Sequence, residues 1–355
     1  MVVVMTPDAS DTQVDAVVSR VRNIGGEAFV SRGVRRTIVG LIGDVDQFRA
    51  LNLRRMAGVA DVIRVSTPYK LVSREHYPSR STVVVGQSSE RPGVSIGPGF
   101  FTLLAGPCAV ESLDQALEAA EMARAAGASL LRGGAFRPHT SPQAFRGLGK
   151  SALRILAEAG AATGLPVVTE IMDAKDIDLV SEYADMLQIG ARNMQNYALL
   201  DAVGRIAKPV LLKRGIQATV EEWLSAAEYV AQRGNLDIVL CERGIRTFEQ
   251  ATPATLDISA VPTVQRLSHL PVIVDPTHAS GRRDLVLPLA RAAIAVGADG
   301  VLIDVHPDPD SALCDGPQAL AGSEIRELAS AIRRLAPLLD RRTTEVAAAM
   351  VPEPR

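Results

Sequence analysis

Residues 300–307, GVLIDVHP, and residues 209–215, PVLLKRG, set the pattern from which the fold is read: an apolar run that stops at a charged or metal-binding side chain. Six other runs do the same: FTLLAGPC (101–108), SLLRGGAFRP (129–138), PVVTEIMD (166–173), DMLQIGARN (185–193), DIVLCERG (237–244) and PVIVDPTHASG (271–281). In chain order they stop at Cys108, at Arg132 and Arg137, at Glu170, Arg192 and Lys213, at Glu242 and Arg243, at His278, and at Asp304 and His306. Helical stretches separate most of the eight. Apolar strands alternating with helices make parallel pairs buried on both faces. Eight such units predict an α/β fold, a (β/α)8 TIM barrel with an apolar interior and its chemistry at the carboxyl ends of the strands.

Composition agrees with that plan. Hydrophobic residues make up 47% of the 355, and aromatics only 4%, so the core must be built from Ala, Val, Leu and Ile. A formal net charge of −2 gives no footprint for nucleic acid. No run approaches the ~20 apolar residues of a membrane span. The start, MVVVM, has no basic segment ahead of it and is too short for a signal peptide. Three cysteines without a Cys-x-x-Cys pair form no disulfide framework, and a reduced, cytoplasmic protein is expected.

Residues 1–68 read as a separate unit. MVVVM is a strand. Thr12 to Ile24 is a helix, with Val14, Val17, Val18, Val21 and Ile24 on one face and Gly25-Gly26 at its end. EAFVSRG and RRTIVGLIG are strands joined by a short turn, DVDQFRALNLRRM is a second helix and GVADVIRVST a last strand. The order β-α-β-β-α-β is the ferredoxin-like plan. This small α+β domain carries no chemical motif, and both a packing or oligomerisation role and an effector role fit it. Residues 69–99 form a connector in which STVVVG and GVSIGPG are expected to pair as a hairpin capping the bottom of the barrel. The barrel runs over 100–335. In it, Ser112 and Gln115 predict a capping box for a helix from Ser112 to Ala126, and Thr219 to Gln232 reads as another helix. Residues 336–355 read as a helix end and a frayed tail.

The strand ends carry two sets of candidates. Cys108, His278, Asp304 and Asp315 are far apart in sequence, and only a barrel brings them together. A thiolate, an imidazole and two carboxylates suit Mn, Fe, Co or Zn better than Mg. A lone cysteine is more often a small buried hydrophobe, which is the reading given to Cys241. Arg132, Arg192, Lys213 and Arg243 form a cation set. Each is costly to bury unpaired, and a bound phosphate or carboxylate resolves that cost. Ion pairs with Glu170, Glu242 and Asp275 account for part of it. The loop FRPHTSP, with Arg137, His139, Thr140 and Ser141, is a candidate second anion site.

Taken together, GPCAVES, LRGGAFRPHTSP, TEIMD, QIGARNMQN, LLKRG, CERGIRTFE, DPTHASG and VLIDVHPDPDSALCDG resemble the type I synthases of 3-deoxy-D-arabino-heptulosonate 7-phosphate (DAHP), over about residues 1–335. The ferredoxin-like start is similar to their Iβ subgroup, and the motifs are shared in part with the 3-deoxy-octulosonate 8-phosphate synthases. The resemblance implies metal-dependent condensation of phosphoenolpyruvate with erythrose 4-phosphate, the first step of the shikimate pathway. It implies metal ligands at Cys108, His278, Asp304 and Asp315. It implies phosphoenolpyruvate contacts at Arg132, Arg137, Glu170, Arg192, Lys213 and Arg243, and an aldehyde-phosphate clamp at Arg137, Pro138, His139, Thr140 and Ser141. Arg137, Glu170, Lys213 and His278 are expected to act in catalysis. A homotetramer and an aromatic amino acid effector are further implications. Three positions depart from the family: Arg137-Pro138-His139-Thr140 stands for the usual Lys-Pro-Arg-Thr, and Asp304 for a glutamate. They leave two other readings, a synthase that takes a different aldehyde and a weakly active regulatory homologue.

Overall fold

The computed structural model describes residues 1–32, 37–63, 68–89, 92–136 and 145–343. They form two compact units, Met1–Pro68 and Tyr69–Arg355. The first has β1 (Val2–Met5), α1 (Asp11–Arg22), β2 (Glu27–Arg32), β3 (Thr37–Ile42), α2 (Val45–Ala50) and β4 (Val59–Ile63). The strands make one antiparallel sheet in the order β2-β3-β1-β4. Alternation sends Val3, Met5, Ala28, Val39 and Leu41 to the face that buries Val14, Val17 and Val21 of α1 and Phe48 of α2. Helix α1 starts at Ser10, whose hydroxyl accepts the Gln13 N–H while the Gln13 side chain accepts the Ser10 N–H.

In the second unit, β5 (Val83–Val85) and β6 (Val94–Ile96) pair antiparallel, with Val83 opposite Ile96. Then come the barrel strands β7 (Phe100–Gly106), β8 (Leu130–Arg132), β9 (Val167–Ile171), β10 (Met186–Ile189), β11 (Val210–Lys213), β12 (Ile238–Glu242), β13 (Val272–Val274) and β14 (Gly300–Asp304). Each pairs in parallel with the next, and β14 returns to β7, where Gly300 faces Thr102 and Asp304 faces Gly106. The connecting helices are α3 (Leu113–Ala125), α4 (Lys150–Thr163), α5 (Ile177–Tyr183), α6 (Tyr197–Val203), α7 (Val220–Ala231), α8 (Ala260–Leu267), the short α9 (Pro276–Ser280) with α10 (Arg283–Ala295), and α11 (Gly322–Leu335).

The two-residue period of the strands divides the side chains. Leu103, Leu131, Val167, Leu187, Val210, Leu240, Val272 and Val301 face the helices. Leu104, Leu130, Val168, Met186, Leu211, Val239, Ile273 and Leu302 face inward and pack with Val83, Val85, Val94 and Ile96 of the hairpin, which closes the amino end. Two residues further along, the inward positions are Gly106, Cys241 and six polar or charged side chains, Arg132, Glu170, Gln188, Lys213, Asp275 and Asp304. One apolar layer thus carries one polar layer above it, and every member of the polar layer is buried.

The connector and the chain's end are held more tightly than their composition suggests. Glu228 on α7 accepts the backbone N–H groups of Leu71 and Val72, each at 3.2 Å. The buried Asp299 carboxylate pairs with Arg80 and, at 2.7 Å, with Arg341. The sequence reads 336–355 as a helix end and a frayed tail. Ala336–Leu339 make a turn of 3-10 helix, β15 (Arg342–Thr343) adds a parallel pairing with Phe100 and Phe101 of β7, and residues 344–355 lie outside the described residues. Arg341 anchors that strand, a contact that local patterning does not reveal.

Candidate active site at the barrel mouth

Cys108 lies two residues beyond β7, His278 on α9 just after β13, Asp304 at the end of β14 and Asp315 in the loop that follows. The barrel brings one ligand atom from each to within 4.8 Å of the others. Cys108 Sγ is 2.9 Å from Asp315 Oδ2 and 3.6 Å from His278 Nε2. His278 Nε2 is 3.8 Å from Asp315 Oδ2, and Asp304 Oδ2 is 3.7 Å from His278 Nδ1. Arg132 and Gln318 hold the Asp304 carboxylate at 2.5 and 2.7 Å. Cys108, His278 and Asp315 therefore converge most closely, and the short Asp304 side chain stays back. Donor chemistry and spacing fit a divalent transition metal.

Asp275 positions the imidazole. It accepts the His278 N–H, lies 2.9 Å from Nδ1, and takes a 2.5 Å bond from Lys213 Nζ. A carboxylate on the second ring nitrogen leaves the first to face the ligand cluster. Burial alone would push the Asp275 carboxyl up, but His278 and Lys213 outweigh it and hold the group well below the usual carboxylate range. Burial likewise works against the Arg132 charge, and the Asp304 and Cys108 side chains raise its pKa despite it.

Arg132, Glu170, Arg192, Lys213, Arg243 and His278 line one cleft. Glu170 is 3.4 Å from the Gln188 amide. Gly190 leaves room for this carboxylate: a Cβ there would stand 2.0 Å from Glu170 Oε1, so a larger residue would displace the Glu170 side chain. Lys213 and Arg132 have carboxylate partners. Arg243 donates to the His278 carbonyl at 2.9 Å. Among the described residues, neither Arg192 nor Arg243 makes an ion pair with a carboxylate. Four cations against the one carboxylate, Glu170, that lines the same cleft suit a multiply charged anion.

Glu242 does not join this set. It shares the outward parity of Ile238 and Leu240, and its carboxylate takes Arg214 at 2.9 Å. Burial raises the Glu242 pKa and the Arg214 contact opposes that rise. Asp257 completes the group, 2.9 Å from the same guanidinium nitrogen. Cys241 faces the barrel interior, where burial pushes its thiol pKa up and leaves it inert. Arg137, Pro138, His139, Thr140 and Ser141 lie outside the described residues. Sequence reading missed Gln188 and Gln318 and took Asp275 only as an ion-pair partner. Strand parity was the available signal for Gln188 and Asp275, whereas nothing local marks Gln318.

A parallel barrel with a buried polar layer, a thiol–imidazole–carboxylate cluster and a cationic cleft has the layout of an enzyme active site. The comparisons make this specific. A model of the DAHP synthetase I family matches residues 80–341, and one of the DAHP synthase ferredoxin-like domain matches residues 1–67. The chain is 48% identical over 344 residues to a phospho-2-dehydro-3-deoxyheptonate aldolase of Thermotoga maritima, covering 96% of this chain and 98% of that protein. A crystal structure of Thermotoga maritima phospho-2-dehydro-3-deoxyheptonate aldolase (DAHP synthase) superposes with a TM-score of 0.81 at 47% identity, over 96% of this chain and 98% of that one. A 2-dehydro-3-deoxyphosphooctonate aldolase of Magnetococcus marinus is 36% identical over 253 residues, 66% of this chain and 87% of its own. The chain belongs to the DAHP synthetase I family, a family of enzymes that form carbon–carbon bonds by aldol-type condensation.

Proposed function

We propose that this chain joins phosphoenolpyruvate to erythrose 4-phosphate, consuming water and releasing phosphate, as the first step of the shikimate pathway in the cytoplasm. The observation that carries this reading is that His278 belongs both to the Cys108–Asp304–Asp315 cluster and to the cationic cleft. In this reading Cys108, His278, Asp304 and Asp315 hold a divalent Mn, Fe, Co or Zn ion. Such an ion, when bound, supplies Lewis acidity toward the aldehyde carbonyl.

Arg132, Arg192, Lys213 and Arg243 hold the carboxylate and phosphate of phosphoenolpyruvate, so that its C3 meets the aldehyde carbon. Arg137, Pro138, His139, Thr140 and Ser141 take the phosphate of the second substrate. As C3 bonds to the aldehyde carbon, C2 becomes electron-poor, and the clustered cations and Glu170 fix the charge around it. Water adds to C2 and gives up a proton, for which Glu170 is the acceptor. The new alkoxide gains a proton. Phosphate then leaves with the electron pair of its bond to C2, the C2 hydroxyl passes its remaining proton to the departing phosphate, and C2 becomes a ketone. The unit at Met1–Pro68 is the proposed site of an aromatic amino acid effector, and the assembly a homotetramer.

Arg192→Ala tests the cleft. Loss of one charge-assisted contact, worth roughly 1.5–3 kcal/mol, should raise the KM for phosphoenolpyruvate about 10- to 100-fold and leave that for erythrose 4-phosphate within about threefold. Steady-state phosphate release gives both constants. An unchanged phosphoenolpyruvate KM would remove Arg192 from the substrate site.

A further inference from the structure

We infer that Glu111 is a positioning residue that ties the loop bearing Asp315 to the loop bearing Cys108, and so sets how tightly the cluster takes a metal. The inference rests on the metal reading of that cluster given above. Asp315 ends the eleven-residue excursion between β14 and the next 3-10 turn and has a left-handed backbone, φ 55°. Such a conformation is held in place only by its surroundings. The excursion folds on itself: Asp308 donates its N–H to His306 Nδ1 at 3.1 Å, and the Ser311 N–H and hydroxyl both reach the Asp308 carbonyl. Gly316 passes so close to Pro309 that a Cβ would lie 2.1 Å from its carbonyl oxygen.

Glu111 links this excursion to the loop after β7. Its Oε1 accepts the N–H of Leu313, two residues before Asp315, at 2.9 Å. The same oxygen is 3.5 Å from His306 Nε2. Because Nδ1 accepts the Asp308 N–H, the ring proton is on Nε2 and faces the carboxylate. Only 12% of the Glu111 side chain and 7% of the His306 side chain are exposed. Nε2 of His306 has no conventional hydrogen-bond partner, so Glu111 supplies the charge it faces.

The near end of the link is fixed too. Gln115 Oε1 accepts the Glu111 N–H at 3.2 Å, and its amide nitrogen donates to the Ala109 carbonyl at 3.2 Å. Val110 donates to the Gly134 carbonyl. Glu111 follows Cys108 by three residues on this braced segment. The contact of Cys108 Sγ with Asp315 Oδ2 is thus backed by a largely covered carboxylate that joins the same two loops. Outer contacts of this kind govern the pre-organisation of ligands, and their loss typically weakens metal binding about 10- to 100-fold.

The test is Co2+ binding to the full chain, followed by the thiolate-to-cobalt absorption that Cys108 gives. Glu111→Ala should raise the Co2+ dissociation constant at least about tenfold. Glu111→Gln, which keeps an oxygen for the Leu313 N–H, should recover most of that loss. Leu313→Pro removes the donor instead, at a side chain that is itself 57% exposed. It should weaken binding alike, and the double variant should be no worse than either single one. Circular dichroism and thermal unfolding of the metal-free variants show that each is folded. A Glu111→Ala protein that binds Co2+ as the parent does, or additive losses in the double variant, would overturn the inference. A parent chain that binds Co2+ without thiolate absorption would overturn the metal reading and the inference together.

Discussion

Glu242 and Arg243 are neighbours in sequence and belong to opposite faces of β12. Counting in twos from Val239 takes Arg243 into the cleft, and counting from Ile238 takes Glu242 to Arg214 on the outside. The same count selects Arg132, Glu170, Lys213, Asp275 and Asp304 as the polar layer. It was legible in the sequence, and only the choice of parity needed the fold. The proposed aldehyde side is a different matter, because the residues assigned to it depart in chemistry from the family. At position 139 an imidazole is a shorter and weaker phosphate donor than the always-charged guanidinium usual in the family. His139→Arg should lower the KM for erythrose 4-phosphate by about tenfold, the worth of one charge-assisted hydrogen bond, and leave the phosphoenolpyruvate KM unchanged. An unaltered erythrose 4-phosphate KM would mean that His139 does not limit binding of that substrate.

At the scale of elements, strands and helix caps were read from local signals with good reason. Thr219 and Glu222 form the full reciprocal box that opens α7. At α3 only half of the expected box exists. Ser112 accepts the Gln115 N–H, but the Gln115 side chain turns back to Glu111 and Ala109, toward the ligand-bearing loop. Tertiary need overrides the local motif there. The connector was the least legible element, since its anchors Glu228 and His269 lie far along the chain. His269 donates from Nε2 to the Leu71 carbonyl at 2.8 Å, and its Nδ1 is 2.7 Å from the Ser81 hydroxyl. Burial pushes its pKa below the ordinary value, and the Leu71 contact only partly offsets that. The fold therefore favours the neutral ring. This contribution is fully present above the unfolded value of about 6.5 and is lost as pH falls through the depressed folded value. The parent should lose more stability between about pH 8 and about pH 5.5 than His269→Gln does, as urea midpoints will show. Equal pH dependence in the two would contradict this role for His269.

For the whole molecule, one hairpin, one apolar layer and one polar layer stack along the barrel axis, and the ends are tied at Asp299. Such an interior is a packed core, so substrate chemistry has only the carboxyl face to occupy. That face gathers a four-residue cluster with the donor set of a transition-metal site and a cleft with more cations than paired carboxylates. No helix among the described residues is long and apolar enough to cross a membrane. The ferredoxin-like unit was legible from its β-α-β-β-α-β order, because each of its elements declares itself by a local period. The tail at 336–343 was not, because its strand exists only by pairing with β7. The central claim concerns what the mouth does, and the most direct measurement is phosphate release from phosphoenolpyruvate, with and without erythrose 4-phosphate, in the chain loaded with Mn2+ or Co2+ and again after chelation. The account predicts release that requires both the aldehyde and the metal and that metal restores after chelation. Release that is indifferent to chelation, or none with erythrose 4-phosphate under any metal, would contradict it.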